Sequence, residues 1–200
     1  MIRLGITGGI GSGKSYISKL LIERGIPVFD CDSRAKELTL HDSVIRRGLI
    51  DLLGAMVYTD KGLNKPVLAA YLFASKENAS RVNAIIHPRV REAFRAWVIE
   101  QQQNGKSVVA MESAILIESG FHVEVDQIVM VHAPLDVRCQ RVIARDHTTL
   151  EEVKKRIAAQ LSDEKKCQQA DFIIENDGIV PLAEQLDKLF SYLKGIKGDK

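Results

Sequence analysis

The sequence has little net charge and no block of charge of one sign. Its 200 residues carry 28 lysines and arginines against 26 aspartates and glutamates, which gives a formal charge of +2. Such a balance provides no strong field for attracting nucleic acid or an anionic membrane. We therefore predict neither as a partner, and no feature of the sequence indicates an obligate protein partner.

Long apolar runs and paired cysteines are also missing. The longest apolar runs, at 107–111 and 127–132, have the length of strands, whereas a membrane helix needs about 20 apolar residues. Residues 1–7 do not have the features of a secretory signal. The cysteines are Cys31, Cys139 and Cys167. Because their odd number and wide spacing fit neither a disulfide framework nor a zinc site, we expect reduced thiols in a cytosolic chain.

The patterns that are present indicate one α/β domain with an insertion. A strand-like pattern at 3–7 is followed by glycines, by helical periodicity from Tyr16, by Gly25 and by a short strand at 26–30. This order predicts a β-α-β unit. From about residue 33 to 104 the apolar spacing is helical, which predicts a helical insertion.

The rest of the sequence predicts a parallel sheet. Val108–Met111 and Ile128–Val131 are continuous apolar runs, which are typical of strands buried on both faces, and Phe172–Glu175 supplies a fifth strand. Helical patterns lie between and after these strands, including 150–161 and 182–193. Five strands that alternate with helices predict a doubly wound, five-stranded parallel sheet, and we assign residues 1–200 to a single domain.

A glycine-rich segment carries the chemistry. Gly8–Ser15 reads GGIGSGKS, matches G-x-x-x-x-G-K-[ST] and lies between the first predicted strand and helix, as a phosphate-binding loop, or P-loop, must. Its glycines let successive backbone N–H groups turn toward phosphate oxygens. Lys14 supplies a cation for the β- and γ-phosphates, and Ser15 supplies a hydroxyl for Mg²⁺. The sequence thus predicts a user of nucleoside triphosphates.

The destination of the γ-phosphoryl group leaves three classes open: hydrolysis by a GTPase or ATPase, transfer by a small-molecule kinase, and nucleotide binding without transfer. The guanine-reading [NT]-K-x-D pattern is absent, because Asn64–Val67 lacks the final carboxylate. Asp51–Gly54 matches the short D-x-x-G pattern but lies in a helical stretch. The third strand ends in Glu112 alone rather than in the Asp-Glu pair of a motor ATPase. For Glu112 we keep two roles open, contact with Mg²⁺ through water and a local hydrogen bond.

Two carboxylates follow the second predicted strand. Asp30 and Asp32 come where the carboxyl ends of parallel strands border a ligand crevice. In an extended segment both side chains lie on the same side, so one can orient an acceptor while the other accepts its proton. The alternative is that Asp32 caps a helix that begins at Ser33.

Three arginines follow the fourth predicted strand at intervals of three and four residues. Arg138, Arg141 and Arg145 can share one helical face toward the crevice, where planar guanidinium groups can grip phosphoryl oxygens. The alternative is a solvated basic face.

Together these residues resemble the dephospho-CoA kinase family, which catalyses the last step of coenzyme A biosynthesis. The matching segments are Leu4–Ser15, Val28–Asp32, Ile86–Pro88, Ile115–Glu118, Gln140–Arg141 with Arg145–Asp146, Arg156–Gln160, and Ala170–Asp171 with Asn176. The resemblance implies a P-loop nucleotide-kinase fold with a substrate-binding insertion at 33–104 and a lid at 138–160. It also implies MgATP-dependent phosphorylation of the ribose 3′-hydroxyl of dephospho-CoA. Another small-molecule or nucleoside monophosphate kinase of the same fold is the alternative, followed by a nucleotide-binding switch protein.

The resemblance also implies roles for particular residues. It makes Lys14, Asp32 and Arg141 catalytic, with Asp32 as general base, and it places Mg²⁺ on Ser15. The implied ATP contacts are Gly9, Ile10, Gly11, Ser12, Gly13, Lys14, Ser15, Tyr16, Arg141 and Asn176. The implied acceptor contacts are Asp30, Asp32 and His87, although a capping or buried histidine is an equal alternative for His87.

Two positions depart from the family pattern. Tyr16 stands where the family often has a small hydroxyl residue, so no hydroxyl contact to the α-phosphate is expected there. Ala114 stands where the family often has proline. We therefore expect a less rigid loop after the third predicted strand.

Overall fold

The computed structural model describes residues 1–60 and 62–198. The strands in these residues are β1 (Ile2–Thr7), β2 (Val28–Asp30), β3 (Tyr58–Thr59), β4 (Gly62–Leu63), β5 (Val108–Glu112), β6 (Gln127–His132) and β7 (Phe172–Glu175). The helices are α1 (Lys14–Glu23), α2 (Cys31–His41), α3 (Ser43–Leu53), α4 (Lys65–Ala74), α5 (Lys76–Gln103), α6 (Leu135–Asp146), α7 (Leu150–Ala158), α8 (Asp163–Gln168) and α9 (Leu182–Gly198).

In the described part of the chain, five strands form one sheet in the order β2-β5-β1-β6-β7. β1 pairs in parallel with β5 on one side and with β6 on the other, and β6 pairs in parallel with β7. The prediction of a five-stranded parallel sheet is therefore confirmed. Because β1 lies where the strand order reverses, the loop after it opens at the edge where such sheets bind ligands.

The chain divides into two compact units. The first consists of Met1–Val28 together with the chain from Gly105 onward, and the second is Phe29–Asn104. In the first unit, Leu4 and Ile6 of β1 are buried with Ile17 and Leu21 of α1. The α9 residues Leu186, Leu189 and Leu193 belong to the same apolar core. This burial fixes the strand that leads into the P-loop and the helix that leaves it.

The helix after the P-loop ends as its sequence predicts. Gly25 has φ 88°, and its N–H donates to the Ile22 carbonyl while the Ile26 N–H donates to the Leu21 carbonyl. This is the hydrogen-bond pattern of a helix closed by a left-handed glycine. The turn returns the chain to the sheet at β2.

The second unit is mainly helical, with one exception. Its core contains Ile45 and Leu49 of α3 together with Val57, Leu68 and Val82. β3 and β4 form a two-stranded antiparallel hairpin, which the helical pattern of 33–104 did not predict.

The first unit has only a short 3₁₀ turn, Phe121–Glu124, between β5 and β6, where the sequence predicted a helical stretch.

No helix among residues 1–60 and 62–198 combines the length and apolar character needed to cross a membrane.

Candidate active site

The P-loop lies between β1 and α1, as predicted. Gly13 forms the N-cap of α1 at φ 91°, a conformation that residues with a Cβ rarely adopt. A Cβ at this position would lie 2.1 Å from Asn176 Nδ2. Gly13 is therefore required both by the backbone conformation and by the close approach of the Asn176 amide.

The loop uses some of its N–H groups within the protein. The Ile10 N–H donates to Gln160 Oε1 at 2.9 Å, and the Ser12 N–H donates to the Gly9 carbonyl at 3.1 Å. A side chain from outside the loop thus takes the N–H group of Ile10, and a contact between Ile10 and ATP stays a prediction. The N–H groups of Gly11, Gly13 and Ser15 take part in neither bond.

Two cations and one amide lie against the loop. Lys14 is half-buried and donates from Nζ to the Gly9 carbonyl at 3.3 Å. Arg141 Nη1 lies 3.5 Å from the Ser12 carbonyl, to which Asn176 Nδ2 also donates at 2.8 Å. The structure therefore brings Lys14, Arg141 and Asn176 together at the P-loop. Arg141 lies against a carbonyl oxygen, which is a weaker partner for a guanidinium than a phosphate oxygen.

Glu112 holds the hydroxyl that the sequence assigned to Mg²⁺. Ser15 Oγ donates to Glu112 Oε1 at 2.9 Å, and Ser18 Oγ donates to Oε2 at 2.6 Å. The local hydrogen bond left open for Glu112 is present. A carboxylate beside a hydroxyl also suits Mg²⁺, which prefers oxygen ligands and is commonly held with substrate phosphates. In the described residues, no cluster of three acidic, histidine or cysteine side chains could hold a metal by itself.

The three arginines of α6 do not act as one face. Arg138 is 2% exposed, donates from Nε to the Ile10 carbonyl at 2.9 Å and pairs through Nη1 with Asp163. Arg145 is exposed and pairs with Asp146. The prediction of three arginines directed at the crevice is wrong, because Arg138 is buried as a structural contact. Of the three, Arg141 has its guanidinium at the mouth of the loop.

Tyr16 follows Ser15 in the first turn of α1. The residue is 54% exposed, so it lies at the surface. A contact between Tyr16 and a nucleotide stays a prediction.

Asp30 and Asp32 belong to the second unit, and their roles differ from the expectation. Asp30 is the N-cap of α2: its Oδ1 accepts from the N–H groups of Asp32 and Ser33, at 2.9 and 3.1 Å. Its Oδ2 accepts from Ser33 Oγ at 2.6 Å. The segment is therefore not extended through Asp32. The alternative that Asp32 caps the helix is also wrong, because the capping residue is Asp30. Asp32 lies in the first turn of the helix.

His87 lies within α5, one residue before Pro88, and is partly buried. Burial and, secondarily, the nearby charge of Arg91 lower the pKa of His87 below its ordinary value. The ring is therefore neutral at neutral pH and can both donate and accept a hydrogen bond.

The loop after β5 is tied by a residue that the sequence did not indicate. Lys166 is fully buried and donates from Nζ to the Ala114 carbonyl at 2.7 Å. The same ammonium lies 3.0 Å from Glu118 Oε1, which accepts from the Leu161 N–H. A less rigid loop was expected at Ala114, yet its carbonyl accepts a hydrogen bond from the buried Lys166 ammonium.

Gln160 is the other contact without an assigned role in the sequence. It belongs to the segment Arg156–Gln160 that carried part of the resemblance, which was the available signal. Its partner is a backbone amide of the P-loop. Side chains that bind distant backbone groups leave no spacing pattern, so the sequence could not assign this role.

Comparisons with known proteins agree with the residue pattern. The chain matches the family model of dephospho-CoA kinase over residues 2–181. A dephospho-CoA kinase of Bacteroides fragilis is 51% identical over 192 residues, which cover 96% of this chain and 93% of the relative.

Solved structures match over nearly the whole length as well. The crystal structure of a Thermus thermophilus protein has a TM-score of 0.79 and 30% identity, covering 97% of this chain and 96% of that one. A dephospho-CoA kinase from Campylobacter jejuni has a TM-score of 0.67 at 21% identity, covering 99% and 98% of the two chains. The second match supports the fold alone. Because the family match spans most of the sequence and includes the P-loop just described, the chain belongs to the dephospho-CoA kinase family.

Proposed function

We propose that the protein transfers the γ-phosphoryl group of ATP to the ribose 3′-hydroxyl of dephospho-CoA, which gives coenzyme A and ADP. The observation that carries this proposal is the family match over residues 2–181, which includes both the P-loop and the segments that follow it. The family membership establishes a kinase. The identity of the donor and the position of the acceptor hydroxyl belong to the proposal.

The P-loop and its cations are proposed to hold the triphosphate. Phosphoryl transfer requires alignment of the reacting oxygens and compensation of charge on the moving group. Lys14 and Arg141 supply two positive charges beside the loop, where the phosphates of a nucleotide can accept charge-assisted hydrogen bonds from them. Asn176 holds the Ser12 carbonyl and thereby steadies the loop during this exchange.

Mg²⁺ is proposed to lie beside Ser15. The residues that would hold it are Ser15 directly and Glu112 directly or through water, since their oxygens already lie 2.9 Å apart. The ion would supply neutralisation of the phosphate charge.

Asp32 is proposed as the group that takes the proton of the acceptor hydroxyl. The two carboxylate oxygens of Asp30 accept hydrogen bonds from the N–H groups of Asp32 and Ser33 and from the Ser33 hydroxyl. These three hydrogen bonds engage the Asp30 carboxylate with the first turn of α2. Asp30 thus fixes the turn on which Asp32 lies, and the role of base is proposed for Asp32 from its match to the family pattern.

The insertion at 33–104 is proposed to bind the acceptor, with His87 as a contact, and 138–160 is proposed to act as a lid. Closure of a lid would slow backbone hydrogen exchange in 138–160 when a non-hydrolysable ATP analogue binds. A cytoplasmic location is also part of the proposal and can be checked by cell fractionation.

The reaction can be tested by measuring ADP release with a panel of acceptors. The purified protein, ATP and Mg²⁺ are combined with dephospho-CoA, with nucleoside monophosphates, with shikimate or with no acceptor. We expect strong stimulation by dephospho-CoA alone, and a product carrying one added phosphate on the ribose 3′-oxygen by NMR. Stimulation by another acceptor would replace the proposal with a different small-molecule kinase, and equal release without acceptor would indicate a nucleotide hydrolase.

A further inference from the structure

Ile10 of the P-loop is contacted through its N–H, its carbonyl and its side chain by the segment that follows β6. The Ile10 N–H donates to Gln160 Oε1, and the Ile10 carbonyl accepts from Arg138 Nε, each at 2.9 Å. The Ile10 side chain packs against the apolar cluster of Cys139, Val142 and Val153. Both polar groups and the side chain of this residue are thus fixed from outside the loop.

Arg138, which donates to the Ile10 carbonyl, is itself held by an ion pair. Arg138 is 2% exposed, and its guanidinium pairs with Asp163 at the start of α8. A buried arginine is restrained by its carboxylate partner, since separating the pair would leave an unpaired charge in the interior. The carbonyl of Ile10 is therefore bound to a donor that the ion pair with Asp163 holds in place.

The neighbouring glycines make this contact close. A Cβ at Gly9 would lie 2.2 Å from Arg138 Nη2, and one at Gly11 would lie 2.5 Å from the Arg138 carbonyl. These glycines bring the loop backbone against α6 as well as opening it toward phosphate. The packing leaves little room for the loop to shift while α6 stays in place.

We infer that Gln160 is a positioning residue, which acts with the Arg138–Asp163 pair through the Ile10 peptide to hold the P-loop in its phosphate-binding form. Gln160 follows the end of α7, so its reach to Ile10 couples the position of this helix to the shape of the loop. The inference rests on the proposed function only in that the loop binds the phosphates of ATP. It assigns to the segment 138–163 a role in shaping the site, in addition to the guanidinium of Arg141.

The hydrogen bond predicts a specific kinetic signature. Loss of the Gln160 acceptor leaves the Ile10 N–H without this partner, so the loop spends part of its time in shapes that bind phosphate poorly. The apparent affinity then falls in proportion to the fraction of competent loop. A hydrogen bond of ordinary strength corresponds to a rise of roughly fivefold in the ATP dissociation constant and in KM for ATP. Because the competent loop is unchanged once ATP is bound, kcat at saturating ATP stays near that of the wild type.

The test compares Gln160→Leu with the matched control Gln168→Leu. Gln168 is an exposed glutamine at the end of α8, and its replacement makes the same chemical change away from the loop. ATP binding is measured by titration calorimetry without acceptor, and KM and kcat are measured by ADP release with dephospho-CoA. We expect the dissociation constant and KM for ATP to rise in Gln160→Leu and not in Gln168→Leu. Equal ATP constants in the two variants, or a fall in kcat alone, would overturn the inference.

A second variant extends the test to the other side of the peptide. Asp163→Asn weakens the lock on Arg138 while leaving Gln160 in place. Since both changes act on Ile10, their effects on ATP binding should be non-additive in the double variant. Full additivity would contradict the shared mechanism.

The outcomes separate this inference from the proposed function. If the wild type binds ATP but no acceptor on the panel stimulates ADP release, the proposed reaction fails while the calorimetric comparison still decides the role of Gln160. If dephospho-CoA is phosphorylated and Gln160→Leu binds ATP like its control, the inference about Gln160 fails alone.

Discussion

The ammonium of Lys166 is the most deeply buried charge in the described first unit. It contacts the Ala114 carbonyl and Glu118, while Glu118 also accepts from the Leu161 N–H. A buried charge of this kind is tolerated because a carboxylate and a carbonyl oxygen both contact it. The contact replaces the rigidity that a proline would give to the loop at Ala114.

Replacing Lys166 with methionine should destabilise the protein strongly. Methionine fills a similar volume but leaves Glu118 and the Ala114 carbonyl without their cation, and breaking such a pair costs about 3 kcal/mol or more. The free energy of unfolding is measured by urea denaturation, with Lys165→Met as control because Lys165 is exposed on the same helix. Similar stabilities of the two variants would show that the buried pair contributes little.

Asp32 is the residue on which the proposed chemistry depends most. Asp32→Asn removes the proton acceptor but keeps the size of the side chain, so kcat with dephospho-CoA should fall by roughly 10²- to 10⁴-fold. The dissociation constant for ATP, measured by calorimetry, should stay within about twofold of the wild type. Asp51→Asn, on an exposed position of α3, serves as control. An unchanged kcat in Asp32→Asn would exclude Asp32 as the base.

Among the elements, α3 is fixed at its first turn by a single carboxylate. Asp42 Oδ1 accepts from the N–H groups of Val44 and Ile45, each at 2.9 Å, and Oδ2 lies 2.9 Å from Arg89 Nη2 on α5. Burial would raise the pKa of Asp42, but the Ile45 N–H, Arg89 and the Val44 N–H together lower it below 3.8. One side chain thus both begins α3 and joins it to α5.

Replacing Asp42 separates these two roles. Asp42→Ala should lose about 1 kcal/mol from the missing cap, together with the contact to Arg89, whereas Asp42→Asn keeps a good cap and loses the charge. Because the folded pKa is lowered, the contribution of the charge is complete above pH 3.8 and is lost as the pH falls through the folded value. Urea denaturation between pH 7 and pH 3 checks this. The difference in the free energy of unfolding between the wild type and Asp42→Asn should become smaller toward pH 3. A difference that stays constant over this range would contradict the prediction.

The strands that could be predicted are those with continuous apolar runs. Phe172–Glu175 was predicted with the observed bounds, because no other element competes for that run. The hairpin of β3 and β4 was missed, since strands of two residues are too short to show alternation. The start of α2 was misplaced because the sequence could not show whether the β-strand ends at Asp30 or continues to Asp32.

The predicted site residues show the same division. The P-loop is a local pattern, so Lys14 and Ser15 lie where the sequence placed them. The arginines of α6 share a helical spacing, but spacing does not reveal that Arg138 is buried against Ile10 and Asp163. Gln160 and Lys166 bind backbone groups far along the chain, which no local pattern encodes.

For the whole molecule, nucleotide binding should raise the resistance to unfolding. A ligand at 100 times its dissociation constant stabilises the folded state by about 2.7 kcal/mol. We expect an increase in Tm with MgATP that is largely lost in Lys14→Ala, because this variant lacks the cation at the loop. Differential scanning calorimetry measures the shift. The control is Lys19→Ala, whose side chain is exposed on α1. A full shift in Lys14→Ala would indicate that the P-loop lysine does not contact the nucleotide.

The sheet is assembled from distant parts of the chain, and this has a consequence for its synthesis. Ile2 pairs with Val108 and Leu4 with Gln127, so β1 leaves the ribosome long before either of its partners. The second unit, by contrast, is one continuous stretch, 29–104, and is complete before β5 has been made. Non-local pairing slows folding and leaves unpaired strand edges available for wrong contacts. The strand that carries the P-loop is therefore made long before both of its partners, and it cannot pair with either of them until the whole second unit has followed it.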